Sequence, residues 1–193
     1  MGYGYMVDVA IPAFFILFVF FVLGFALNKI FKSNIVNAIP LGFLVYSGII
    51  VPIARVVDDA SPLFVTFTIV CYIILVVGCL LKRDHFKLHF QEHIPLNRLE
   101  ILTIIILCLT VSASTLLILT RIPVPPGSDV IGHSHYAMNI FLTNKFLGAY
   151  PQAIHLLFSY TMHMLGLPIH EVMQGFNIAI YVTFLLSVFC MVY

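Results

Sequence analysis

The residues able to do chemistry gather in one stretch, PPGSDVIGHSHYAMNIFLTNKFLGAYPQAIH at 125–155, which holds Asp129, His133, His135, Tyr136, Lys145, Tyr150 and His155. Asp129 and His133 are four residues apart, so a helix would place a carboxylate and an imidazole on one face. That pair suits general-base work, or half of a metal site completed from elsewhere. The bland alternative is that Asp129 only favours a helix N-terminus and the histidines decorate an interface. His133 and His135 form an H-x-H pair. On a strand both rings would point one way, but on a helix they diverge by about 160°, which weakens a two-imidazole clamp between them.

Two further clusters compete for attention. His85, His89 and His93 recur every four residues within KRDHFKLHFQEHIPLNR. Such spacing can bind a metal, yet Phe86, Phe90 and Ile94 interleave with it, and an interfacial helix near anionic lipid is the simpler account. Asp58-Asp59 in VVDDASP reads as a turn. His155 and His163 fall inside an apolar run, where polar groups face a bundle interior or a cavity.

The elements that must position these residues are set by composition. The chain is 62% hydrophobic and 9% charged, with mean hydropathy +1.10. Uncharged runs cover 9–28, 33–54, 60–81, 101–120, 146–170 and 172–193. Each is as long as the ~20 apolar residues that a helix needs to cross a bilayer. Runs this continuous are helical, because lipid leaves only helices and closed barrels. The expected fold is all-α, a polytopic membrane bundle of about six transmembrane helices. Region 1–120 holds four helices joined by a cytoplasmic connection at 82–98. Region 121–150 is an extracytoplasmic loop with an amphipathic helix, and 151–193 holds two more spans. The run at 146–170 contains Gly166 and Pro168, which also allow a re-entrant course.

Lys29, Lys32, Lys82, Arg83, Lys87 and Arg98 fall on one side of such a bundle, against Arg55, Arg121 and Lys145 on the other. The excess marks the cytoplasmic side, so the N-terminus and loop 121–150 are expected outside, in a multi-pass plasma membrane protein. The leader MGYGYMVD lacks the basic residues of a signal peptide and reads as part of a retained helix. The ending FLLSVFCMVY, with no charged anchor, raises the expectation of further helices. Cys71, Cys79, Cys108 and Cys190 lie in apolar runs and read as unbridged. Tyr3, Tyr5 and Tyr150 are the expected interface anchors. A net charge of +1 gives no reason to expect a nucleic-acid partner.

Within the loop, Pro123, Pro125 and Pro126 cannot continue a helix, and Ser128 suits an N-cap before Asp129. On a helical wheel, Asp129, His133, Tyr136, Thr143 and Asn144 fall on a polar stripe. Val130, Ile131, Ala137, Met138, Phe141 and Leu142 fall on the opposite side, which is expected to face the membrane.

The succession D-x-x-x-H, a helix, then G-x-Y-P-x-x-x-H opening an apolar run resembles the first large extracytoplasmic loop of GT-C-type integral membrane glycosyltransferases. The matching residues are Asp129, His133, Gly148, Tyr150, Pro151 and His155. The resemblance implies a sugar donor on polyprenyl phosphate, an extracytoplasmic acceptor, and an acidic loop residue acting as base or metal ligand. Asp129 is then the catalytic residue. His133 orients the acceptor, the donor phosphate or a divalent cation (Mg or Mn) shared with Asp129. Arg121, Tyr136, Lys145, Tyr150 and His155 are the substrate-binding candidates, and membrane lipid and lipid-linked sugar are the partners. In this sequence the loop follows the fourth helix, and Asp129 has no acidic neighbour. Two rivals remain: a transporter or permease subunit with a polar path of Asp129, His155 and His163, and a non-catalytic membrane subunit docking a partner.

Overall fold

The computed structural model describes residues 3–31, 35–81, 98–119, 129–147 and 152–192, with side chains at 6–30, 35–81, 98–115, 131–147 and 152–189. Among the described residues every element is helical: α1 (Tyr3–Phe31), α2 (Ile35–Val57), α3 (Pro62–Leu81), α4 (Arg98–Leu119), α5 (Asp129–Thr143), α6 (Ala153–Leu165) and α7 (Ile169–Val192). Five of them, α1, α2, α3, α4 and α7, are long and apolar enough to cross a membrane. The chain is a membrane-embedded helical bundle. Its exposed surface fits that setting: Phe14, Phe18, Leu63, Phe67, Ile74 and Leu109 are each more than 60% exposed, and such a surface belongs in hydrocarbon.

The run at 146–170 is not one continuous helix. It holds α6, only 13 residues long, or about 20 Å at 1.5 Å per residue. The helix stops where Gly166 turns left-handed at φ 67 and donates its N–H to Met162 O. Pro168 then accepts from the first turn of α7 through its carbonyl, bonding Glu171 N and Val172 N. Hydropathy counts apolar residues but not the backbone break that Gly and Pro impose.

Helices α1 and α2 form the tightest crossing. A Cβ on Gly24 would lie 1.7 Å from Ala38 O, and one on Gly42 would lie 1.6 Å from Phe20 O. Two glycines thus let the backbones touch, the usual device where no water drives helices together. Pro52, which has no N–H, follows a π turn at Tyr46–Ile50 that carries the buried Tyr46 toward Phe20. Helix α7 runs in the same direction as α1: Gly175 abuts Val9 and Pro12, Ile178 clusters with Val9 and Ala13, and further along Leu17 packs on the cluster of Val182, Leu186 and Ile104. The beginnings of α1 and α7 and the end of α2 therefore share one end of the bundle. At that end α5 bridges from α7, through Ser134 Oγ donating to Met173 Sδ at 3.3 Å, to the α2–α3 turn, through Ala60 N donating to Asn144 O at 2.9 Å.

The Asp58-Asp59 turn is structural. Asp58 ends α2 in the left-handed region at φ 54, the Asp59 carboxylate accepts from Ser61 N, and Ser61 Oγ caps α3 by accepting from Phe64 N. Cys71, Cys79 and Cys108 are free thiols. The His85, His89 and His93 cluster lies outside the described residues.

Candidate functional site: an imidazole pair between two helices

Helices α5 and α6 lie side by side and run the same way. His133 contacts His155 and Phe141 contacts His163, the same sequence separation of 22 at two points eight residues apart. Their interface is made by one face of α6 carrying His155, Ser159 and His163 at intervals of four. His133 and Phe141 of α5 face it, and Ala137 and Ile140 between them in sequence are fully buried. Ala137 and Ser159, one on each helix, are both fully buried, and side chains this small suit helices packed side by side.

At one end of this interface His133 Nδ1 and His155 Nε2 are 2.7 Å apart, one donating and the other accepting according to tautomer. The rings stand 5.0 Å apart by centroid, and Tyr136 packs its ring on His155 at 5.3 Å. His155 is 1% exposed. Burial first, and the neighbouring His133 second, pull its pKa down to about 4, so its imidazole is neutral at pH 7 and keeps a nitrogen lone pair. At the other end Phe141 stacks on His163 at 4.1 Å, and His163 Nε2 reaches Phe141 O at 3.2 Å. Between them Ser159 Oγ is buried and makes no hydrogen bond.

The helical wheel needs correction. The stripe that holds His133 does not face water; it docks on α6. Ile140, two turns after His133, sits in the middle of that stripe and is fully buried with Ala137. Ile131 and Leu142 are exposed at 77% and 71%, while Thr143, assigned to the polar stripe, lies outward with His135. An apolar side chain inside the supposed polar stripe belongs to the buried face, where Ala137 is also fully buried and Phe141 stacks on His163. The divergence of the H-x-H pair holds: His133 faces the bundle, and His135 is exposed with its ring edge toward Tyr136 at 6.1 Å.

The other expected site residues divide. Asp129 is the first residue of α5, one turn before His133, and its side chain lies outside the described residues, as do Arg121 and Tyr150. Tyr136 joins the pair. Lys145 does not: its Nζ donates to Asp58 O at 2.8 Å and pairs with Asp58 Oδ2 at 3.2 Å. That places it a dozen residues beyond His133, on the α2–α3 turn. Gln152, at the start of α6, bonds both backbone groups of Leu147 and fixes the entry to the helix. Sequence reasoning gave Ser159 no role, although the i, i+4, i+8 spacing of 155, 159 and 163 puts it on the same face of α6 as the two histidines.

The described donors at this site are two imidazole nitrogens beside a phenol ring. Mg and Mn, the cations implied by the resemblance, prefer oxygen donors, so this donor set does not fit them. No family model, no curated protein and no solved structure matches this chain.

Proposed function

We propose that the chain is the part of a GT-C-like membrane glycosyltransferase that carries its acceptor-activating loop. The observation that supports this reading most is the meeting of two motifs. The histidine of D-x-x-x-H and the histidine of Y-P-x-x-x-H, read separately in the sequence, lie within 2.7 Å of one another. Placing His133 and His155 together gives the first turn of α5, and with it Asp129, a fixed seat at one end of the bundle. The charge bias of the connections puts that end outside the cell.

In the proposed reaction the acceptor hydroxyl oxygen attacks the anomeric carbon of a sugar carried on polyprenyl phosphate. The carbon–phosphate-oxygen bond breaks, the lipid phosphate leaves with the electron pair, and the acceptor proton passes to Asp129. His133, held by His155, orients the acceptor or the leaving phosphate. Tyr136 closes the pair from one side. A second reading, a permease subunit, is favoured by the polar face of α6 inside the bundle. Its expected path, however, ends on packing contacts: His163 is stacked on Phe141.

The test is transfer of a radiolabelled sugar from a polyprenyl-phosphate donor by the full protein in membranes. Asp129→Asn keeps the shape and removes the base, and a loss of ~10²–10⁴-fold is expected. His133→Ala should cost less than Asp129→Asn, and His135→Ala, on the exposed side, least. Full transfer by Asp129→Asn would end the assignment.

A further inference from the structure

We infer that the groove between α1, α4 and α7 is a binding site for one acyl chain of a membrane glycerophospholipid. This site stands apart from the imidazole pair and does not depend on the transferase reading.

Helix α4 runs against α1 and α7 and touches them unevenly. Toward its start Ile104 clusters with Val182 and Leu186, and Leu17 packs on them. Within the next three turns Leu109, Ser112 and Ala113 stand off from Ala10, Ala13 and Phe14, leaving a cavity of about 220 Å³. Small side chains on both helices open the space, and Ser112 is the one polar residue in its lining. The site therefore offers nothing to hold a charged ligand. Its volume exceeds the ~150 Å³ of an apolar cavity that takes up a benzene ring. A single turn of helix, ~10 Å across with a 5.4 Å pitch, needs roughly 420 Å³, so a protein helix does not fit inside.

What fills the groove follows from where it opens. Phe14 and Leu109, on its two sides, are 73% and 63% exposed. The cavity is thus continuous with the apolar surface that hydrocarbon covers. Ala10 and Leu17 lie about 10 and 20 Å along α1 from its start at Tyr3, at 1.5 Å per residue. That is the depth of acyl chains in the leaflet on the side where α1 begins. A chain entering from lipid gains no transfer out of water; it gains the packing contacts that empty space denies to the lining.

The lipid in the groove is not the proposed sugar donor, because α1 and α7 form a wall between the groove and α6. Phe15 packs on Tyr160 of α6, and it lies about 140–160° around α1 from Ala10, Ala13 and Leu17. Phe176 meets Phe158 of α6 edge-on, while Ile178, two residues on and on the other face of α7, lines the groove.

The chain contains no tryptophan, so an introduced one reports on a single place. Phe14→Trp reports on the groove. Phe67→Trp, at a position 62% exposed on α3, reports on ordinary lipid-facing surface. The whole chain is held in detergent, stripped of lipid and titrated with a phosphatidylcholine whose acyl chains carry bromine, which quenches a tryptophan it touches. Quenching of Phe14→Trp should saturate at a single lipid per chain. That of Phe67→Trp should rise with the lipid content of the micelle and not saturate. Adding Ala113→Phe, which fills the groove from an exposed position, should raise the half-saturating concentration about tenfold or more. Adding Ser114→Phe, exposed beside it, should not. Phosphorus retained by the unsubstituted protein after prolonged detergent washing reads the same site without any mutation, and one phospholipid per chain is expected. Unsaturating quenching at both tryptophans, or no retained phosphorus, overturns the proposal. So does a dimer of this chain that shields Phe14→Trp from the lipid. Displacement of the brominated lipid more strongly by polyprenyl phosphate than by plain phosphatidylcholine would give the groove to the donor and also overturn it.

Discussion

At the scale of single residues, the α5–α6 interface is a place where size matters more than polarity. Ala137 on α5 and Ser159 on α6 are both fully buried, and Ser159 Oγ makes no hydrogen bond. A buried hydroxyl without a partner costs about 1–3 kcal/mol. Ser159→Ala should therefore be neutral or stabilising in thermal unfolding of the detergent-solubilised protein. Ala137→Leu should destabilise it by about 1–3 kcal/mol, because added methylenes in a packed interface force strain. A stable Ala137→Leu beside a crippled Ser159→Ala would mean that the helices do not meet there. The sequence made His133, His155 and His163 visible as oddities in an apolar chain. It did not make their pairing visible, because a contact between residues 22 apart depends on how two helices dock. Ile140 could have corrected the wheel, since a single apolar residue two turns after His133 shares its face.

At the scale of elements, hydropathy made legible five helices long and apolar enough to cross a membrane, and it did not resolve the helix boundaries within 146–170. There Gly166 and Pro168 end α6 after 13 residues, and a count of uncharged residues is blind to both. The α1–α2 crossing illustrates a second thing the residue pattern alone leaves implicit. Gly24 and Gly42 look like any glycines in a membrane helix, but each has a backbone carbonyl where its Cβ would be. Gly24→Ala or Gly42→Ala must push the helices apart and should abolish or sharply reduce folded, monodisperse protein. Gly78, with nothing within 4 Å of its Cβ position, should accept alanine and gain up to about 1 kcal/mol from reduced backbone freedom. Fluorescence-detected size-exclusion yields of the three variants check this. Equal yields would show that α1 and α2 cross elsewhere.

At the scale of the whole molecule, α5, α6 and the turn into α7 all gather at the end where α1 begins, so that a site built there would open to one side. The Lys145–Asp58 bridge, the Ala60–Asn144 bond and the contact of Gly175 with Val9 all tie that end together. A chain in which 146–170 crosses and one in which it does not differ at a single testable point. If 146–170 crossed, the first turn of α7 would lie opposite loop 121–150; with α6 short and turned back, both lie on the same side. The measurement is labelling of intact cells by a membrane-impermeant thiol reagent, in a chain whose four cysteines are replaced by alanine. Single cysteines are placed at Ser128, at the exposed His170, and at Gln91. Ser128→Cys and His170→Cys should both react from outside, and Gln91→Cys should react only after the cells are opened. Labelling of Ser128→Cys but not His170→Cys in intact cells would contradict the fold of α6 and, with it, the site that α5 and α6 build.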